Sequence, residues 1–576
     1  MTRILGDPDA FVADALRGFA RAHRDQVSLI DGGVVRAQPL ARGKVAVLIG
    51  GGSGHYPAFA GFVGPGLAAG AVCGNIFTSP STAQALRVAH AADAGGGILF
   101  TFGRYAGDVI HFGEAQRRLR ADGIDARTVL ITDDVASAPP ELLDERRGIA
   151  GILCVFHIAG AAAERGDSID EVERLAALAN SRTRSHGVAF AGCTLPGADE
   201  ALFAVPEGQM SIGLGIHGEP GVRDVPLQAA PDLAATLLAP LLAERPEGAE
   251  RAAVIVNGLG SVKYEELYVL FGFVVDQLER EGIEVVEPEC GEFVTSLDMA
   301  GASLTLLWLD DELEELWTAP ASSPAFRKGA FAGPAAAATT ARTHVEPDVR
   351  SAPVPPATAA SRSAAGTARR LLTRAREAIA AQADHLGRLD AVAGDGDHGI
   401  GMLRGLSAAV DAADAADEGT GVRELLQIAG DAWSETAGGT SGALWGAALA
   451  RMGESLGSPE AFSSADVARA VADARSRIAE LGGADLGDKT MLDAIGPFDE
   501  RLAAGVRAGA GLSEALSDAA AAARTGADAT AAMTPRRGRA RPLAERSLGH
   551  PDPGATSFWI IVDAVARGGD TFEEGE

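Results

Sequence analysis

Cysteine is scarce in this chain of 576 residues, and Cys73, Cys154, Cys193 and Cys290 stand far apart with no CxxC pair. That spacing supports neither a disulfide framework nor a zinc site, so a reducing cytoplasm is the expected compartment. Aromatic residues are only 5%. No apolar run approaches the roughly 18 residues that would span a bilayer. The amino-terminal MTRILGDPDAFVADALRGFARAH carries Asp and Arg where a signal peptide needs its apolar stretch, so neither membrane nor export is expected. Basic residues are also short: 50 Lys and Arg face 78 Asp and Glu, a net charge of −28. Nucleic-acid binding needs a concentrated basic face, and this balance argues against it. A small anion is still permitted, because helix N-termini, backbone amides and metal ions bind phosphate locally. Most of the acidity reads as solubility.

What is abundant is glycine, at 72 residues, in a chain that is 47% hydrophobic and 22% charged. The composition is that of a globular protein, and its length suggests three to four units. From 318 to 366 Pro, Ala, Ser and Thr take over and apolar periodicity disappears, which predicts an extended linker. Before it, KVAVLIG (44–50), GGILFTFG (96–103), RTVLITD (127–133), GILCVFHI (151–158) and AAVIVNG (252–258) read as buried strands. They alternate with amphipathic stretches at 171–181 and 264–281. Residues 1–317 are therefore predicted to be α/β, in two subdomains dividing near 180–190. Residues 367–576 are rich in Ala, Leu, Arg and Glu at helical spacing and are predicted to be all-α. In that region SFWIIVDAVA fits a strand or a final helix.

Three carboxylates, Asp390, Asp395 and Asp397, sit in LDAVAGDGDHGIGM with glycines that let the backbone fold tightly. Hard divalent cations take oxygen ligands of this kind. An EF-hand is excluded, because Gly399, Ile400 and Leu406 occupy the positions that need Asp/Asn, Gly and Glu. Taken alone, the segment is equally a Gly/Asp turn ending a helix. GGTSGALWG (438–446) is a glycine-rich turn feeding a helix, suited to phosphate oxygens, but no Gly-Lys-Ser/Thr follows as in a Walker loop. GDKTML (487–492) and HPDPGATS (550–557) are polar interruptions of the helical pattern. These four motifs, in this order, resemble the nucleotide-binding L domain of the dihydroxyacetone kinase family. The resemblance implies an antiparallel helical barrel that binds ATP. It implies two Mg²⁺ ions on Asp390, Asp395 and Asp397, and a nucleotide pocket of His398, Gly399, Gly439, Thr440, Ser441, Gly442, Met491, Asp552, Pro553 and Gly554.

In the first region GGGSGHYPAFAGFVG follows a predicted strand, where α/β folds bind ligands. It is not a dinucleotide fingerprint, since His55 replaces the third glycine. The literal GxGxxG at Gly213, Gly215 and Gly218 is a decoy, because Glu219-Pro220-Gly221 follows where a helix must begin. His217, among those glycines, is a candidate base, ligand or nucleophile, or a structural histidine. Asp108, in GRYAGDVIHFG, follows another strand end, and three such loops can supply His55, Asp108 and His217 to one crevice. These segments, with RRGIAGILCVFHIAGAAAERG, MSIGLGIHGEPG, VNGLG and TSLDMAGASLTLLWLD, look like the K domain of the same family.

The resemblance spans the chain outside 318–366. It implies a ketose held on His217 as a hemiaminal, Asp108 taking the hydroxyl proton, His55 hydrogen-bonding the substrate, and Gly52, Ser53, Gly54, Tyr56 and Gly103 around it. It also implies a homodimer. Three positions depart from the family pattern. Tyr56 stands where Glu is usual, and Gly103 and His157 stand where Lys is usual. Glycine at 103 is expected to open space beside the substrate for a fourth carbon, and the HYPAF variant resembles the branch that phosphorylates erythrulose. The alternatives are a dihydroxyacetone kinase proper, a subunit drawing on a phosphoprotein donor, and a non-catalytic ketose-binding or regulatory protein.

Overall fold

The computed structural model describes residues 4–219, 221–331, 357–394, 396–536 and 544–567. They form two compact units, 1–349 and 350–576.

The first unit is layered. Its first sheet comprises β1 (Val27–Ile30), β2 (Gly33–Arg36), β3 (Ala46–Ser53), β4 (Gly70–Ile76), β5 (Ile98–Gly103) and β6 (Ala126–Ile131), in the order β1-β2-β4-β3-β5-β6. The β4-β3-β5-β6 run is parallel. The second sheet comprises β7 (Thr183–Ala191), β8 (Gln209–Ile212), β9 (Arg223–Pro226), β10 (Arg251–Gly258), β11 (Glu284–Val285), β12 (Glu289–Gly291) and β13 (Ala300–Leu309). Its order is β11-β10-β13-β7-β8-β9, with β12 also on β10. The chain thus passes from one sheet to the other between β6 and β7.

The uninterrupted apolar strands follow from burial of both sheet faces, since alternate side chains point to opposite sides. On β5, Ile98, Phe100 and Phe102 pack with helices Thr82–Ala92 and Ala106–Ala121. Leu99 points the other way, into a core shared with helices Ile152–Arg165 and Ile169–Arg182. The second sheet closes that core from the far side with Ala253, Ile255, Leu307 and Leu309. Its outer face, including Val254, Leu304 and Trp308, packs against helices Ala230–Ala243 and Tyr264–Arg280.

One expected strand is a helix. Residues 151–158 open the helix Ile152–Arg165, in the central layer between the sheets. Being apolar on every side, it shows no amphipathic period, and a short apolar run of this kind cannot be told from a buried strand. Its start is capped by buried Asp133, which accepts from the N–H groups of Ile149 and Gly151 at 2.9 Å each. Gly166, at φ +105°, ends it.

The 318–366 stretch has structure at both ends. β14 (Ala321–Ser322) pairs with β15 (Arg327–Lys328), and Phe326 is buried against the first unit. His157 helps to hold this segment: its Nδ1 faces Gly66 O at 3.0 Å and its Nε2 faces Trp317 O at 2.9 Å. Lys328 Nζ lies 3.8 Å from the centre of the Trp317 ring. The helix Ala359–Ala380 then begins inside the expected linker, capped by the Thr358 side chain on Ser361 N. Alanine and serine in a row gave 359–366 the composition of a linker, although alanine is also the best helix former.

The second unit is all-helical among the described residues. Helices Ala359–Ala380, His398–Ala415, Val422–Ala437, Gly439–Leu456, Ser464–Gly482, Leu492–Arg507, Leu512–Ala529 and Pro553–Ala566 each pack on the next, and the last packs on the first. The ring is therefore closed. Glycines set its tight crossings. The carbonyl of Gly430 lies 2.6 Å from where a side chain on Gly446 would start, and that of Arg423 lies 2.7 Å from the same point on Gly453. Rising numbers on one helix meet falling numbers on the other, so this pair is antiparallel. SFWIIVDAVA belongs to the final helix, Pro553–Ala566.

Candidate active site

The carboxyl ends of β3, β4 and β5 are the ligand-binding edge of a parallel sheet. The sequence builds a histidine pocket there. At the end of β3, Gly52 and Gly54 let residues 77–78 lie against the strand. A Cβ on Gly52 would fall 2.7 Å from Thr78 N, and one on Gly54, at φ +104°, 2.8 Å from the Phe77 ring. Ser53 Oγ donates to Gly74 O at 2.7 Å, tying β3 to β4. The second sheet contributes the loop before β13: Leu297 N–H donates to Gly54 O at 2.8 Å and Thr295 N–H to His55 O at 3.2 Å.

His55 is 1% exposed. Its Nδ1 faces Thr295 O at 2.7 Å and its Nε2 faces Nε2 of His217 at 3.0 Å. His217 comes from the β8–β9 connection, and its Nδ1 meets Glu219 Oε1 at 3.1 Å. Phe77 stacks on His55 with ring centres 5.0 Å apart, and Tyr105 meets His217 edge-on at 4.6 Å. Burial, then the neighbouring His217, pushes the His55 imidazole down to about 3, against the Thr295 carbonyl and Glu219. Burial alone would raise the Glu219 carboxyl, but His217 and Arg147 hold it well below the usual carboxylate range. The outer nitrogens of both rings thus face acceptors, a carbonyl and a carboxylate. Each carries its proton there, and the bond between the inner nitrogens requires a third proton shared by the pair.

Asp108 occupies the first turn of helix Ala106–Ala121, three residues after the Tyr105 that packs on His217. It is 5% exposed and its Oδ1 has no hydrogen-bond partner. Burial pushes its carboxyl up to about 7, partly opposed by the Ser79 hydroxyl. A carboxylate poised near neutrality suits general-base chemistry.

Two sequence expectations differ from the structure. Gly103 does not open space: a Cβ there would lie 3.1 Å from Gly148 O and 3.2 Å from the Tyr105 ring, whose hydroxyl donates to Gly148 O. The volume of a missing side chain is filled by neighbouring backbone and an aromatic ring. The Tyr56 side chain does not line the histidine pocket. It is 52% exposed and meets Phe19 edge-on.

In the second unit three of the four motif loops are joined by contacts, and the fourth opens a helix. Asp390 Oδ2 accepts from Gly396 N–H at 2.9 Å, folding the acidic turn back on its helix. Burial, then the charge of Asp390, raises the Asp397 carboxyl. Asp395 lies outside the described residues, and among those described no group of three His, Cys, Asp or Glu is arranged to hold a metal. A carboxylate whose ionisation is opposed by a neighbouring one nevertheless fits a hard cation, which would relieve that repulsion. His398 Nε2 bonds Ser557 Oγ at 2.9 Å, joining the acidic turn to the final helix. Asp552 caps that helix through Ala555 N at 2.7 Å, and burial pushes its carboxyl up to about 7. A Cβ on Gly554 would lie 3.5 Å from that of Met491, so these two loops touch. Gly399 has a packing reason of its own, since a Cβ would fall 2.0 Å from Ala383 O. Gly438 and Gly439, at φ +62° and +59°, turn the chain into helix Gly439–Leu456, with exposed Thr440, half-buried Ser441 and buried Gly442 in its first turn and no side-chain cap.

Comparison with known proteins decides the family. The Dak1 domain model matches residues 17–325 and the DAK2 domain model residues 392–567. The chain belongs to the dihydroxyacetone kinase family. It is 51% identical to the L-erythrulose kinase of Pectobacterium atrosepticum over 573 residues, covering 98% of this chain and 96% of that protein. It is 52% identical over 573 residues to the D-erythrulose kinase of Mycolicibacterium smegmatis, covering 98% of each. The crystal structure of the dihydroxyacetone kinase from C. freundii in complex with AMP-PNP and Mg2+ matches 98% of this chain and 99% of that one, at 29% identity and a TM-score of 0.53. No helix among the described residues of this kinase is long and apolar enough to cross a membrane.

Residues that sequence reasoning passed over complete the first site: Glu219, Arg147, Tyr105, Phe77 and Thr295. Glu219, Arg147, Tyr105 and Thr295 lie inside the motifs that carry the resemblance, and Phe77 lies in none of them.

Proposed function

We propose that this member of the family is an ATP-dependent erythrulose kinase that holds its ketose covalently on His217. The observation that carries the covalent step is the 3.0 Å contact between the two imidazole Nε2 atoms. His217 Nε2 attacks the ketone carbon as the shared proton shifts to His55. His55 then gives that proton to the carbonyl oxygen, which becomes the hydroxyl of a hemiaminal. Asp108, ionised above about pH 7, accepts the proton of a terminal hydroxyl as that oxygen attacks the γ-phosphate. Single general-base contributions of this kind are typically about 10²–10⁴-fold.

In the second unit Asp390, Asp395 and Asp397 are the groups that would hold Mg²⁺, which neutralises charge on the phosphates when bound. The turn opening helix Gly439–Leu456 offers the amides of 439–441 and the Thr440 and Ser441 hydroxyls to phosphate oxygens, and His398, Met491, Asp552, Pro553 and Gly554 flank the nucleotide. The choice of erythrulose rests on relatives about half identical over nearly the full chain that carry that name, because the Gly103 argument for extra space does not survive the packing. A homodimer and a cytoplasmic location complete the proposal.

Steady-state kinetics with Mg-ATP across three- to five-carbon ketoses test it. The expected result is the highest kcat/KM with an erythrulose enantiomer. A higher value with dihydroxyacetone would reassign the substrate, and no ATP-dependent product with any ketose would favour a non-catalytic binder.

A further inference from the structure

The capture histidine has a partner that the chemistry so far leaves unused. The Glu219 carboxylate grips His217 twice: Oε1 faces the ring Nδ1 at 3.1 Å, and Oε2 accepts the backbone N–H of the same residue at 3.0 Å. Behind it Arg147 Nη1 lies 3.7 Å from Oε2, while Arg147 Nη2 is paired with buried Asp134 at 2.7 Å. Space for this arrangement depends on Gly215. A Cβ there would stand 2.1 Å from Glu219 Oε2 and 2.5 Å from Arg147 Nη1.

We infer that Glu219 is the positioning residue of covalent capture, fixing the proton of His217 on Nδ1 and serving as counter-ion to the captured ring. This rests on the reading of His217 as the nucleophile. The proton count carries it. Before capture the two imidazoles share three protons and one positive charge. Attack forms the bond from Nε2 to carbon and breaks the carbonyl π bond, and the third proton ends on the new hydroxyl oxygen. His55 is then neutral. The His217 ring, bonded to carbon at Nε2 and to hydrogen at Nδ1, keeps the positive charge. That cation is enclosed by Phe77, Tyr105 and His55, and the Glu219 carboxylate is the anion in contact with it. A second tautomer, with the proton on Nε2, would have no lone pair to attack with, and the carboxylate at Nδ1 disfavours it.

The test compares Glu219→Gln, Glu219→Asp and His217→Ala, using full-length protein, erythrulose and Mg-ATP. Glu219→Gln keeps the shape and an acceptor but loses the charge. Its ketose KM is expected to rise roughly 10- to 100-fold, the scale of a charge-assisted bond, while its KM for ATP stays at the wild-type value. Intact-mass spectrometry after rapid isolation should find less ketose adduct on Glu219→Gln than on Glu219→Asp, which retains the charge. An unchanged thermal midpoint and ATP KM show that the fold is intact, a result that a merely loop-tying role would not combine with loss of adduct. Wild-type ketose KM and adduct in Glu219→Gln, with both lost in His217→Ala, would overturn the role of Glu219 alone. An adduct weaker in Glu219→Asp than in Glu219→Gln would overturn the counter-ion assignment. An adduct persisting in His217→Ala would instead overturn the capture reading itself.

Discussion

In the first unit the chemistry-bearing side chains touch one another. Thr295, His55, His217 and Glu219 form one hydrogen-bonded line drawn from three loops of two sheets, with aromatic rings packed around it. In the second unit most contacts at the motif loops are side-chain-to-backbone caps within one loop, such as Asp552 on Ala555 N and Asp390 on Gly396 N, and His398 on Ser557 joins the acidic turn to the final helix. The difference matches the two tasks. Covalent capture needs a nucleophile whose tautomer and direction are fixed in advance, so the protein supplies every contact. Binding a triphosphate needs amides and a cation, and the carboxylates remain mutually repelling until the cation arrives.

Substitutions should separate these two designs. The largest expected effect is in the first unit: Asp108→Asn should lower kcat by about 10²–10⁴-fold. Its folded-state value near 7 lies above the ordinary 3.8. The carboxylate needed as a base is therefore lost as pH falls through about 7, and wild-type kcat should drop on that limb. A flat kcat between pH 6 and 8, roughly one unit on either side, would show that another group takes the proton.

The second effect is smaller and of another kind. Asp390→Asn should raise the Mg²⁺ concentration needed for half-maximal rate by about 10- to 100-fold, with part of the rate restored by excess metal. An equal loss at all Mg²⁺ concentrations would place Asp390 in the fold rather than at the cation. The smallest effect is at the departure from the family pattern. Because the Tyr56 ring is half exposed and leans on Phe19, Tyr56→Glu should change kcat/KM for erythrulose by less than about threefold, within the range of a surface substitution. A tenfold or larger change in ketose preference, about 1.4 kcal/mol, would put this position in the substrate pocket.

Much of the architecture was legible in the chain. The strands at 46–53, 98–103, 126–131 and 251–258 follow from apolar runs short enough to be strands, and the change to helical spacing after 366 marks an all-helical unit. Residues 151–158 escaped that logic, because a helix buried on all sides loses the 3.6-residue period that identifies it. The site was legible where glycines announced it. His55 and His217 stood out from glycine-rich turns. Glu219 was passed over although adjacent in sequence, since its neighbourhood signalled only that a dinucleotide fold was absent. Arg147 and Thr295 lie in motifs of the resemblance, but nothing local shows what their side chains and carbonyls touch. They reach the site through the tertiary fold: Arg147, paired with Asp134, comes up to Glu219 of the β8–β9 connection, and Thr295 bonds His55 in the loop after β3. The false expectation at Gly103 has the same root, since sequence shows a missing side chain but not the backbone that fills its place.

The central claim is that a ketose becomes bonded to His217 before phosphoryl transfer. Intact-mass spectrometry of the chain, incubated with erythrulose in the absence of ATP and rapidly isolated, tests it most directly. The account predicts a gain equal to the whole ketose with no loss of water, as a hemiaminal requires, and its absence in His217→Ala. A wild-type chain that shows no gain, yet phosphorylates erythrulose at full rate, would contradict it.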